Sequence, residues 1–91
     1  MFNNATHMNS NTTTVIVGAG CELMSVVINS KGATANTLTL YDNATAASGT
    51  VIAVIDTTSN VGDIQYEILA KNGITAIMAA GTAADVTICW R

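Results

Sequence analysis

Three groups of residues in this 91-residue chain are of types that could do chemistry. The first is Val15-Ile16-Val17-Gly18-Ala19-Gly20. A strand that feeds a glycine-rich turn opens dinucleotide-binding units, where backbone N–H groups meet a pyrophosphate at a helix N-terminus. Here the third glycine position is Leu23, and Cys21–Asn29 alternates as a strand does. No acid stands between Lys31 and Leu40, where the ribose-binding carboxylate would fall. The spacing therefore predicts a tight turn between two strands and excludes the nucleotide fold.

The second group is His7 with Cys21 and Cys89, the only histidine and cysteines. A Cys–His nucleophile needs the imidazole within hydrogen-bond reach of the thiol. His7 sits in a polar N-terminal stretch, so its expected role is a solvated or partner-contacting side chain. The cysteines can pair only if their strands are neighbours; the expectation is two free, half-buried thiols. The third group is the acids Glu22, Asp42, Asp56, Asp63, Glu67 and Asp85. Asp42, Asp56, Asp63 and Asp85 lie in or beside turns, where Asp binds nearby backbone. They are too sparse for a calcium loop. Asn4-Ala-Thr, Asn11-Thr-Thr and Asn43-Ala-Thr fit the glycosylation pattern, but a chain rich in Asn and Thr produces such matches by composition. The expectation is no catalytic residue, no metal ligand, no cofactor and no enzyme.

Composition points the same way. Charged residues are 10% of the chain, against about 25% in typical domains. Apolar residues are 49%, drawn largely from Ala, Val and Ile. Such a surface has few groups that resist being covered, and a chain this short buries only roughly 60–65% of its unfolded surface. Oligomerisation is the expected reinforcement. The only cations, Lys31, Lys71 and Arg91, are scattered against a net charge of −3. They cannot form a phosphate-tracking stripe or an electrostatic membrane anchor. No run reaches the roughly 18 apolar residues of a membrane span. Met1–Asn11 lacks the basic and apolar regions of a signal peptide, so assembly in the cytoplasm is expected.

The elements that must position these groups are strands. Residues 1–11 have no periodicity and read as an N-terminal arm; residues 12–91 read as one β-sandwich domain. Turn signals recur every 8–12 residues, the all-β spacing. They bound Thr13–Val17, Cys21–Asn29, Thr37–Asp42, Thr50–Ile55, Ile64–Leu69, Ile74–Ala79 and Val86–Arg91. In the second of these, Glu22, Met24, Val26 and Ile28 share one face, and Cys21, Leu23, Ser25 and Val27 the other. Thr50–Ile55 is nearly continuously apolar and predicts burial on both faces. Ile64, Tyr66 and Ile68 point inward, as do Val86, Ile88 and Trp90. The predicted class is an antiparallel, jelly-roll-like β-sandwich of about seven to eight strands. No proline guards any strand, which predicts edges covered in an assembly.

A longer succession runs from about Gly18 to Arg91. It comprises Val26-Val27-Ile28-Asn29 with Gly32, Asn36-Thr37-Leu38-Thr39-Leu40-Tyr41-Asp42, Ser48-Gly49-Thr50-Val51-Ile52-Ala53 and Asp56-Thr57-Thr58. It closes with Gly73-Ile74 and Gly81-Thr82-Ala83-Ala84-Asp85-Val86-Thr87-Ile88. This pattern of strands and turns resembles the small β-sandwich virion proteins of tailed bacteriophages. The resemblance implies a virion structural protein: a capsid decoration (cement) protein that bridges capsomers, or another head or tail component. It implies a homo-oligomer, typically a trimer, partnered by the major capsid protein or another virion protein. An arm that orders on binding would gain contacts through Phe2, His7 and Met8. The alternative is a tail or fibre module that binds a receptor or glycan, for which Tyr41 and Tyr66 are the mid-chain aromatics.

Overall fold

A computed structural model describes residues 4–59 and 61–91. The chain forms eight strands: β1 (Asn4–Met8), β2 (Thr13–Val17), β3 (Cys21–Ser30), β4 (Thr37–Tyr41), β5 (Val51–Asp56), β6 (Gly62–Ala70), β7 (Ile74–Ala79) and β8 (Asp85–Trp90). They build two four-stranded antiparallel sheets, β1-β8-β3-β6 and β2-β7-β4-β5. The chain changes sheet at every connection except that between β4 and β5. This order is the double Greek key of a jelly roll, so the predicted fold class holds.

The core lies between the sheets. Leu23, Val26, Ile28, Val86 and Ile88 project from the first sheet, and Leu38, Leu40, Ile74, Ala76 and Met78 from the second. The alternation in β4 and β8 supplies these residues as the sequence predicts.

Three expectations need correction. Residues 4–8 of the arm are a strand: β1 pairs along its whole length with β8, from Asn4–Trp90 to Met8–Val86. The polar sequence Asn-Ala-Thr-His-Met hid it, because an edge strand needs only every second residue to touch the core.

In β3 the faces predicted from strict alternation are not kept. Cys21 and Leu23 are buried, and so are Val26 and Ile28. The pairing with β8 shifts between Leu23 and Ser25, and this bulge at Met24 moves the inward set by one residue. The strand Val51–Asp56 is not buried on both faces either. It ends the second sheet, and Val51 and Val54 are exposed.

The short connections 9–12 and 57–61 set β1 beside β2 on one flank of the sandwich and β5 beside β6 on the other. Connections 9–12, 31–36, 57–61 and 80–84 gather at one end. Asn4, Arg91 and connections 18–20, 42–50 and 71–73 lie at the opposite end, where Glu22 and Arg91 exchange backbone hydrogen bonds.

Candidate interaction surface

Of the residues expected to contact a partner, the two described ones, His7 and Met8, face opposite sides of β1. Phe2 lies outside the described residues. Met8 is 4% exposed and packs in the core, because it is opposite Val86 on the inner face of β1. His7, one residue earlier, points outward. Its Nε2 lies 2.7 Å from Asp85 Oδ1. Asn29 Nδ2 donates to the same carboxylate oxygen at 2.9 Å and to Thr87 Oγ1 at 3.1 Å. The Asn29 hydrogen bond, and then His7, hold the Asp85 carboxyl below its ordinary range. This cluster ties β1, β8 and β3 together across the outer face of the first sheet.

The two cysteines are free. Cys21 faces the core, and burial, followed by the Asp42 charge, pushes its thiol up. Cys89 lies opposite Ser25 and Ala5 on the outer side of β8, so the two thiols occupy opposite faces of one sheet. Gly18–Gly20 connects β2 to β3, strand to strand. The Asp42 carboxylate accepts the backbone N–H of Asn72 at 2.8 Å and of Lys71 at 3.2 Å. These bonds hold its carboxyl below the usual range. Asp56 accepts the Thr58 hydroxyl at 2.6 Å and the Ser59 hydroxyl at 2.8 Å, with the same effect. Among the described residues there is no pocket and no group of three His, Cys, Asp or Glu side chains able to hold a metal. No helix is long and apolar enough to cross a membrane.

What the fold does assemble is an apolar flank. Four of the five exposed large hydrophobic residues, Val51, Val54, Val61 and Leu69, belong to β5, β6 or their connection, with Val51 and Val54 on the outer face of the second sheet and Leu69 on the outer face of the first. Behind them Ile52, Ile64, Tyr66 and Ile68 pack against the core while remaining half exposed. Each of these strands ends its sheet, and no strand among the described residues pairs with its outer edge. The opposite flank is better closed, with Met8 and Ile16 buried beneath β1 and β2.

Charge is also divided. Among strand residues, His7, Glu22, Asp63, Glu67 and Asp85 belong to the first sheet, and the second sheet carries only Asp56. Sequence reading missed the flank because Val51–Ile55 looks like a central strand. The available signal was β6, whose half-apolar alternation continues for nine residues.

No family model matches the chain, and neither a curated protein nor a solved structure matches it.

Proposed function

We propose that the chain is a non-catalytic structural protein of a tailed-bacteriophage virion, a capsid decoration protein that bridges capsomers. The observation that carries this reading is the open β5–β6 flank. A small closed sandwich presents core residues along one side, a surface that gains stability only when another chain covers it. The jelly-roll order and the sequence pattern from Gly18 to Arg91 support the virion assignment. In this reading the partners are copies of the chain and a capsid or other virion protein. No cofactor takes part, and assembly occurs in the host cytoplasm.

Contact with nucleic acid is outside the proposal. Lys31 and Lys71 sit at opposite ends of the sandwich, and Arg91 Nε donates to Glu22 at 2.8 Å. The tail or fibre alternative has no specific support: Tyr41 and Tyr66 are half-buried and belong to different sheets, so they do not build a sugar-stacking platform.

Quantitative mass spectrometry of purified particles tests the proposal. Hundreds of copies per particle would support decoration. A handful would transfer the chain to the tail or fibre, and none would overturn the virion reading.

A further inference from the structure

Among the described residues four strand edges are unpaired, those of β1, β2, β5 and β6. Natural proteins guard such edges with lysine, proline, shortness or bulges, because an unpaired row of N–H and C=O groups recruits another strand. β6 is the longest of them, though it carries a bulge of its own. It has nine residues, against five in β1, five in β2 and six in β5. It contains no lysine or proline, and its inner row of Ile64, Tyr66 and Ile68 is left half exposed.

An antiparallel strand paired with its own copy obeys a parity rule. Side chains directly opposite each other share a face, and faces alternate along the strand. A residue can therefore meet only residues an even number of positions away. A strand with an odd number of residues satisfies this at full overlap, centred on its middle residue. For Gly62–Ala70 that residue is Tyr66.

The Tyr66-centred register places Ile64 opposite Ile68 of the second copy, and Tyr66 opposite Tyr66. On the outer row it places Gln65 opposite Glu67, and Asp63 opposite Leu69. No acid faces an acid. Shifting the centre to Gln65 would set Asp63 against Glu67, and shifting it to Glu67 would set Glu67 against itself. Like charges directly opposite are destabilising, so both neighbouring registers are disfavoured.

The strand has one irregularity. Its pairing with β3 steps from Ile68–Leu23 to Gln65–Ser25, so Tyr66 and Glu67 share the space opposite Met24. This bulge sits on the proposed twofold axis. The straight pieces on either side, 62–64 and 68–70, then pair with each other across it, and Gln65 meets Glu67 beside the axis. β5, by contrast, has six residues and no matched full-overlap register.

We infer that the partner of this edge is a second copy of the chain, bound through antiparallel β6–β6 pairing about a twofold axis at Tyr66. Two four-stranded sheets then merge into one eight-stranded sheet, and the half-exposed core residues of both flanks cover each other. The unit is a dimer, in place of the trimer that the family resemblance implies. The inference rests on the reading of the β5–β6 flank as a contact surface, but it does not depend on a virion context.

Gln65 is exposed and supplies the test. In this register Gln65→Lys creates two Lys–Glu pairs across the axis, and Gln65→Glu creates two Glu–Glu pairs. Sedimentation equilibrium of the whole chain from about 10 μM to about 1 mM measures the association. The expected result is a monomer–dimer equilibrium that Gln65→Lys tightens about fivefold and Gln65→Glu weakens about fivefold, both effects shrinking in high salt.

A cooperative thermal transition in each variant would show that both fold. A wild-type monomer at the highest concentration, a trimer, or a shift in the same direction for both substitutions would each overturn the pairing. Those outcomes are independent of copy number in particles. A monomer abundant in virions would sink the pairing alone, and a dimer absent from virions would sink the virion reading alone.

Discussion

The Thr57 hydroxyl donates to Asn36 Oδ1 at 2.6 Å, and neither residue is exposed to solvent. The same carboxamide donates through Nδ2 to Asn11 Oδ1 and to the Ala80 carbonyl, each at 2.8 Å. The Asn36 backbone carbonyl accepts the Thr57 N–H at 3.2 Å. One buried side chain thus ties the connections 9–12, 31–36, 57–61 and 80–84 at one end of the sandwich. Without these bonds, several polar groups would be buried without partners, which costs about 1–3 kcal/mol for each.

Thr57→Val keeps the shape and removes the hydroxyl. We expect a loss of about 1–3 kcal/mol, read by urea unfolding. Asn36→Ala should cost more, and the double variant less than the sum, with a coupling of about 0.5–3 kcal/mol. Additive losses would show that the two side chains act independently.

Gly32 reports on the same knot through packing instead of hydrogen bonding. A Cβ at this position would stand 2.5 Å from Thr57 Oγ1 and 2.7 Å from Asn36 Cβ and Oδ1. Those atoms are fixed by the hydrogen bonds above, so they cannot retreat freely. Gly32→Ala should destabilise by about 1–3 kcal/mol, as overpacking does. In the Thr57→Val background the clash remains, because the valine methyl occupies the place of the hydroxyl. A Gly32→Ala protein that unfolds at the wild-type urea midpoint would contradict this packing.

The strands that read most clearly from sequence are those whose alternation runs unbroken against a full partner on each side. Val86-Thr87-Ile88 and Leu38-Thr39-Leu40 are legible for that reason, and their inward residues are fully buried. Two features escaped for physical causes. The Met24 bulge is a pairing event between strands distant in sequence, so local periodicity carries no trace of it. The edge position of Val51–Asp56 is set by sheet order, which composition cannot encode. The flank escaped with it, since the flank is made of edge positions. Its nearest sequence signal, Ile64-Gln65-Tyr66-Glu67-Ile68, gives the faces but not the missing neighbour.

The sequence reads residues 1–11 as an arm outside the sandwich, and the structure makes residues 4–8 a strand of it. Met8 fills the core opposite Val86, and β1 covers the outer edge of β8. Met8→Ala should cost about 2–5 kcal/mol. Deleting residues 1–8 should cost at least as much and should lower the thermal midpoint. A truncated chain with wild-type stability would restore the arm and remove β1 from the fold's essential elements.

Acid should destabilise the protein through three carboxylates. Asp42 is held below the usual carboxyl range by the Asn72 N–H, Asp56 by the Thr58 hydroxyl, and Asp85 by Asn29 and then His7. A carboxyl whose folded value lies below its unfolded value of about 3.9 binds fewer protons in the folded state. The stability it contributes is complete well above that unfolded value and is lost as pH falls through the lower folded value. Urea unfolding measured from about pH 7 down to about pH 2 should therefore show little loss above about pH 5 from these groups, then a steep fall. Replacing Asp42 or Asp56 by Asn should lower stability at neutral pH and make the fall shallower, because the substituted position no longer titrates. An equally steep fall in both variants would assign acid unfolding to other groups.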